Sequence, residues 1–270
     1  MIQPEHRKRA TSDVLEGGAA LAARNLLSFL RVTVPLNLPF GVLFGAVVVW
    51  LVNAKGSKHL AAWILAPVSL AYVLAIVVAG AACLKVAAEV YVGGAPDGRA
   101  AIRLVIRRWA SVLALSVLLL IGAAPAIAMI VLPGITALGN YALVLILAAL
   151  FSLWLSGTFA AALPAMLLEE KRFRDSLGRS AALVRGSFFR ALGTVVLGAI
   201  LALFAGIVVA IVVSIFSLGG GNVIVIVSLV GVALGELFVA PLYVCFLVVL
   251  YYDLRLREQE RDGADAGLTT

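Results

Sequence analysis

Residues 234–258 read LGELFVAPLYVCFLVVLYYDLRLRE. Glu236 stands alone as a carboxylate in an apolar run that begins near residue 223 and closes on Tyr251 and Tyr252. That run exceeds the ~20 residues a helix needs to cross ~30 Å of hydrocarbon. Its end carries Asp253, Arg255 and Arg257 directly after the two tyrosines. Tyrosines at headgroup level followed by arginines are the expected anchor of a membrane-spanning helix at its cytoplasmic end. The fold therefore turns on whether the rest of the chain obeys the same pattern.

It does. Of 270 residues, 63% are hydrophobic and 13% charged, with a mean hydropathy of +1.13. A water-soluble domain has about a quarter of its residues charged, so this composition needs lipid as solvent. Six runs are long enough to span: about 34–53, 60–86, 111–132, 141–167, 191–216 and 223–252. The first begins too far from residue 1, and is too long, for a cleavable signal peptide. The net charge of +7 sits in short clusters beside the apolar runs. That placement suits anionic lipid headgroups and topology signals, and no nucleic acid is expected as a partner. Alternate connections hold eighteen Lys and Arg on one side and two, Lys55 and Lys58, on the other. The positive-inside rule then puts both termini in the cytoplasm of a cell, here expected to be at a bacterial inner membrane. Residues 1–12 read as a cytoplasmic tail, 13–254 as the membrane domain, and 255–270 as a polar, disordered cytoplasmic tail.

The long basic segments resemble one another. LAARNLLSFL (21–30), LVIRRWASVL (104–113) and LVRGSFFRAL (183–192) each place arginine early and then enter a span. They suggest a threefold repeat of one interfacial helix followed by two spans. In the middle copy Arg99, Arg103 and Arg107 share a stripe at 100° per residue. Ile102, Val105, Ile106 and Trp109 lie opposite, with Arg108 at their edge. A basic side and a Trp-bearing apolar side describe a helix lying at the headgroup boundary. In the third copy Leu177, Ala181, Val184 and Phe188 give the apolar stripe; Asp175 or Ser176 is the candidate cap, and Gly186 the stop.

Two blocks resemble a known family. LPAMLLEEKRFRDSLGRSAALVRGSFFRALG (163–193) and LYYDLRLREQERD (250–262) are similar to the membrane domain of glycerophosphoryl diester phosphodiesterase. So is EVYVGGAPDGRAAIRLVIRRWASVL (89–113), which resembles that family's first cytoplasmic loop. The resemblance falls on Pro164, Glu169 or Glu170, Ser180, Leu183, Val184, Arg185 and Gly186, and on Tyr252, Asp253, Arg255 and Arg257. It implies a six-span module whose phosphodiesterase chemistry belongs to a separate soluble barrel, for which these residues leave no room. It also lets Asp253 be paired with Arg107 or Arg185.

No catalytic constellation emerges. His6 and His59 are expected on opposite sides of the membrane, and Cys83 and Cys245 are expected as apolar packing residues, so neither a metal site nor a disulfide is expected. No P-loop, nucleophile elbow or HExxH is present, and GGAPDG (93–98) lacks the Lys-Ser/Thr ending of a phosphate cradle. Glu169 and Glu170 are adjacent and would point about 100° apart on a helix, which does not make an acid–base pair. The chain is not expected to be an enzyme or to need a cofactor.

Glu236 is the outstanding residue. An acid at mid-bilayer costs ~2.5 kcal/mol or more on insertion scales, so it should face protein. Gly231 and Gly235 precede it as a GxxxG pair, and Gly198, Ala202, Gly206 and Ala210 offer a small-residue stripe on the fifth span. Antiparallel packing of the two would bring the backbones close and draw Glu236 inward. No Lys or Arg shares its depth; Lys85 lies nearer the cytoplasmic edge, where Glu89 can pair with it. Desolvation without a cation favours the neutral acid. Ser69, Tyr72, Ser152 and Ser156 are the candidate hydrogen-bond partners, and Pro241 leaves the carbonyl of Leu237 without its usual donor. Three functions follow as expectations. The first is a non-enzymatic module docking anionic headgroups or a soluble or membrane protein through its cytoplasmic face. The others are a small transporter or lipid-handling protein using a cavity at Glu236, and a membrane subunit of an enzyme whose catalytic part is another chain.

Overall fold

The computed structural model describes residues 10–53, 58–119, 142–215 and 222–267, and among these every regular element is helical. In chain order they are α1 (Thr11–Arg24), α2 (Leu26–Asn53), α3 (Lys58–Tyr91), α4 (Gly98–Arg107), α5 (Trp109–Leu119), α6 (Ala142–Thr158), α7 (Ala162–Leu168), α8 (Phe173–Val184), α9 (Phe188–Ile215) and α10 (Asn222–Gly267). Among the described residues five stretches are long and apolar enough to cross a membrane: Leu26–Leu51, Trp63–Tyr91, Ile146–Leu168, Phe188–Val213 and Ala233–Asp262. The expected third span begins as α5, and its remainder from residue 120 lies outside the described residues. The chain is a membrane-embedded, all-α protein.

Each proposed copy of the repeat has the same local construction. A short helix (α1, α4 or α8) stops, the chain turns within one to three residues, and an apolar helix (α2, α5 or α9) begins. Two of the three turns share a backbone conformation: Asn25 has φ −120° and ψ 20°, Arg108 φ −111° and ψ 17°. In the third, Gly186 at φ +83° makes the break, a conformation glycine adopts without a Cβ penalty. Burial follows the same register. Gly18, Ala101 and Ser180 are buried at one equivalent position, and Ala22, Val105 and Val184 at the next. Phe29, Val112 and Ala191, then Val32, Leu115 and Thr194, continue the series into the long helices. These four positions agree in burial across the three copies, whereas Val14 and Ser176 are buried where their equivalent Asp97 is exposed.

α10 is the central element, packing on α9, α3, α1 and α2. Among the described residues the buried core lies toward the end where α1, α4 and α8 gather, here called the basic end. It includes Val14, Phe29, Leu84, Met166, Phe246, Leu250 and Tyr251. Away from that end, large apolar side chains such as Trp63, Leu147, Ile200 and Phe204 face outward, as lipid-contacting side chains do. The small-residue packing expected of the fifth and sixth spans is present. A Cβ at Gly235 would stand 2.8 Å from the carbonyl oxygen of Gly206, and one at Gly231 would stand 3.2 Å from that of Ala210. Gly198 lies against the ring of Phe246.

Several expectations need correction. α2 starts at Leu26, eight residues before the expected span, and carries Pro35 and Pro39 within it. α10 likewise passes through Pro241, a residue that long intramembrane helices tolerate. It also runs on to Gly267, so the polar segment 255–267 continues the helix instead of forming an irregular tail. α8 starts without a side-chain cap from Asp175 or Ser176. Its inward face is Ser176, Ser180, Leu183 and Val184, with Ala181 exposed. The physical reason is a break at residues 159–161, where α6 gives way to α7. Ser180 Oγ donates to the carbonyl of Thr158 (2.8 Å) and accepts from the amide of Ala161 (3.1 Å). A hydroxyl on α8 thus satisfies groups that the interrupted helix leaves open.

Candidate functional site

Among the described residues two polar assemblies stand out, one at the basic end and one midway along the apolar part of α10. The first is built where α7 stops. Glu169 is the residue after α7, and its side chain is only 15% exposed. The Tyr251 hydroxyl on α10 donates to its Oε1 at 2.6 Å. Arg179 Nε on α8 reaches both carboxylate oxygens at 3.2 and 3.1 Å, and Lys171 Nζ stands 3.4 Å away. Arg179 uses its other face on Glu258: Nη2 donates to Oε2 at 2.6 Å and Nη1 to Oε1. A planar guanidinium can serve two carboxylates in this way, which an ammonium cannot reproduce. Arg179 therefore ties α7, α8 and the extension of α10 together.

Two neighbours extend the collar. Arg108, in the turn between α4 and α5, donates from Nη1 to the carbonyls of Met166 (3.1 Å) and Lys171 (3.3 Å), and from Nη2 to Glu170 (3.2 Å). It meets the open carbonyls at the end of α7, so it sits inward and not at the edge of a lipid-facing stripe. Glu170 holds the left-handed backbone conformation, φ +55°, that lets the chain reverse there. Asp253 is 4% exposed and accepts from Arg257 Nε at 2.9 Å, with Arg190 Nη1 at 3.6 Å. Its partners are thus Arg257 and Arg190, and neither Arg107 nor Arg185. Arg257 lies one turn along the same helix and Arg190 at the start of α9, which α10 contacts most extensively. Arg185 contributes its carbonyl, which accepts from Arg261 Nη1 at 2.5 Å. Arg255 lies over the Tyr251 ring, 5.8 Å from its centroid. Lys85 and Glu89 pair at 3.6 Å as expected.

Burial alone would push the Glu169 carboxyl upward, but the Tyr251 hydroxyl and Arg179 outweigh it and hold the group below the usual carboxylate range. Arg179 is held above its ordinary value, chiefly by Glu258 and against the effect of burial. A depressed carboxylate stabilises the fold above its unfolded value of ~4.3 and loses that contribution as pH falls through its lower folded value. Wild type and Glu169→Gln should therefore differ in melting temperature in detergent at pH 6, and the gap should close below about pH 4. The groups facing Glu169 are Tyr251 from α10, Arg179 from α8 and Lys171 from the connection between α7 and α8. Glu258 lies beyond Arg179. A gap that persisted at low pH would show that Gln disturbs packing and not charge.

The second assembly lies midway along the apolar part of α10. The Tyr72 hydroxyl on α3 donates to Glu236 Oε2 on α10. Glu236 is half-buried, and Tyr72 also stacks on Phe44 of α2 with centroids 5.4 Å apart. Ser69 and Ser152 do not join them; each donates to its own helix, to Leu65 and Ala148 carbonyls at 2.7 and 2.8 Å. Ser156 is half-buried on α6, which also bears Ser152. One turn from Gly41, Asn37 is 3% exposed, and neither its amide nitrogen nor its oxygen has a hydrogen-bond partner.

Tyr72 was legible as a partner of Glu236 because it shares its depth. Arg179, Glu258, Arg190 and Asn37 were missed. Only the count of basic residues touched Arg179 and Arg190, and nothing in the spacing links position 179 to position 258. Among the described residues no cluster of His, Cys, Asp and Glu could hold a metal ion. Cys83 and Cys245 are both free and buried.

No curated protein and no solved structure matches the chain. Residues 135–264 match a family model, and they contain α6 to α9, Glu236 and the whole Glu169–Arg179–Glu258–Tyr251 network, whereas Tyr72 and Arg108 lie before them. Over that stretch the chain is similar to the membrane domain of glycerophosphoryl diester phosphodiesterase.

Proposed function

We propose that this protein is a non-enzymatic, six-span module of a bacterial inner membrane, with both termini cytoplasmic, whose basic end holds anionic headgroups and organises the membrane surface around it. The observation that carries this reading is the outward face of α4. Arg99, Arg103 and Arg107 are all exposed there, and none is within ion-pair reach of a carboxylate among the described residues. Beside them Ile106 and Trp109 are 56% and 60% exposed. α4 is itself fixed, because Asp97 caps its start through the amides of Arg99 and Ala100 while Ala101 and Val105 are buried. A fixed row of exposed arginines beside a Trp suits phosphate oxygens, each basic residue near an anionic surface contributing ~1 kcal/mol.

The test is retention of lipid after purification from bilayers of mixed phosphatidylcholine and phosphatidylglycerol. Wild type should keep phosphatidylglycerol in excess of its bulk share, and raised salt should weaken that preference. Changing Arg99, Arg103 and Arg107 together to Gln should reduce the excess at least tenfold, with melting temperature unchanged because all three are exposed. An unaltered lipid preference in that variant would remove the basis for the reading.

A further inference from the structure

The two halves of α2 are held differently. The inner half is packed: Phe29, Val32 and Thr33 are all buried, and Val32 seats the start of α4, where a Cβ at Gly98 would lie 2.7 Å from its Cγ2. Beyond Gly41 the packing stops. None of residues 42–51 is buried, and Val42, Leu43 and Trp50 are exposed. Between the halves the helix is weak. Pro35 and Pro39 leave the carbonyls of Arg31 and Pro35 without their usual amide donors. Thr33 Oγ1 donates back to the Phe29 carbonyl at 3.2 Å, a bond that bends helices. Sharp kinks gather at such places, and a segment with few buried contacts beyond one moves at low cost.

The outer half also has room to move. It forms one wall of an apolar groove of about 480 Å3 through Leu38, Val42 and Ala46, and Val230, Ala233 and Leu234 of α10 form the other. Lipid tails are as apolar as these side chains, so closing the groove changes apolar burial little. A polar group can then tip the balance. Asn37 lies at the junction of the halves, 3% exposed, and among the described residues neither atom of its amide has a partner. A buried, unpaired amide is costly to the state that holds it. One turn away, a Cβ at Gly41 would stand 3.6 Å from the Tyr72 hydroxyl, which donates to Glu236. We propose that residues 40–51 form a hinged flap, open in this structure. It closes on α10 by bending at Pro35–Pro39, and that movement brings the Asn37 amide to the Tyr72–Glu236 pair. A bend of about 20°, the size of a proline kink, carries residue 46 by roughly 5 Å. Closure shuts the groove off from the bilayer and asks nothing of the basic face of α4.

The experiment reads distances between spin labels on the full chain in phosphatidylcholine nanodiscs. Ala46→Cys and Val230→Cys put one label on each wall of the groove. Cys83 and Cys245 are buried, so labelling stays at the introduced sites. Dilution into unlabelled protein restricts the signal to distances within one chain. The groove pair should give two distances, roughly 5 Å apart. A second pair, Leu27→Cys with Val92→Cys, lies on the inner side of the hinge at exposed positions and should give one. Adding Asn37→Leu to the groove pair should reduce the shorter-distance population at least threefold and raise the melting temperature, because the open state then buries no unpaired amide. Adding Pro39→Ala, which restores a donor to the Pro35 carbonyl, should leave a single distance. One distance across the groove in the otherwise wild-type chain, two at the inner pair, or two undisturbed by both variants would each overturn the proposal. The contrast between the two label pairs stands even if a variant does not fold.

Discussion

Replacing Arg179 by Met should lower the melting temperature of the protein in detergent by more than any other single change at the basic end. Three consequences follow from removing one guanidinium. Glu169, 15% exposed, loses its main cation and keeps only Tyr251 and Lys171; Glu258 loses its bidentate partner; and α8 loses its ionic tie to α10. Breaking a fully buried ion pair costs ~3–5 kcal/mol because the surviving charge is stranded. These side chains retain 15–22% exposure, so water recovers part of that and about 2–3 kcal/mol is expected. Met conserves the length of the aliphatic stem, which separates loss of charge from loss of packing. Arg179→Lys should be nearly as damaging, since one ammonium cannot bridge both carboxylates. The double change Glu169→Gln with Arg179→Met should recover part of the loss, because no charge is then left unpaired on that side. Melting curves of the four proteins give the coupling directly. Additive losses would mean that the network seen here holds no shared energy.

The effect on α10 should also be visible by hydrogen exchange. Residues 255–262 project past the last apolar turn and are held by Glu258 to Arg179 and by Arg261 to the Arg185 carbonyl. Without Arg179, amides there should exchange faster while those of 244–251, buried among α1, α3 and α9, stay protected.

The legible and illegible parts of this molecule divide by the range of the interaction that sets them. Five of the six expected spans were legible from composition and periodicity, which depend only on neighbours within a few turns; the expected turns at 54–59, 133–140 and 218–222 lie mostly outside the described residues. The Gly231/Gly235 and Gly206/Ala210 packing was also readable, because small residues every fourth position have few uses in a bilayer beyond close approach. Tyr72 was found for Glu236 by matching depth along two parallel helices, a one-dimensional argument. The collar resisted such reasoning. Asp253 was assigned to Arg107 or Arg185, and it pairs with Arg190 and Arg257. At a basic end holding many arginines, depth does not distinguish them; only the rotation of each helix does, and that is set by packing. The α8 face failed for a related reason. Its buried serines look like surface residues by hydropathy, yet Ser180 is required inward by the interruption of a span twenty residues earlier. The helical course of residues 255–267 was missed because composition argued for disorder, whereas contacts with α8 and Arg185 supply the order that propensity does not.

The closest approach of two backbones yields the other large prediction. Gly235→Leu should separate α9 from α10 and cost about 3 kcal/mol, the upper part of the range for overpacking. A Cβ at 235 would lie 2.8 Å from the Gly206 carbonyl oxygen and 3.4 Å from the Gly206 Cα. Both are backbone atoms, which cannot swing aside as a side chain would. The helices would have to part by an ångström or more, and Ala202, buried at 1% exposure, would lose contacts along with Gly231 and Ala210. Even Gly235→Ala should be harmful, reversing the usual gain when Ala replaces Gly in a helix. Gly80→Ala is the control, since a Cβ there meets nothing within 4 Å, and it should be neutral or mildly stabilising. The displacement should reach the mid-membrane pair, because Glu236 follows Gly235 and rotates with it away from Tyr72. A cysteine pair placed on facing positions of α3 and α10 near that depth should cross-link in wild type and fail in Gly235→Leu. If Gly235→Leu melts like wild type and still cross-links, the two helices are not held by backbone contact, and the small-residue stripe has no part in positioning the acid.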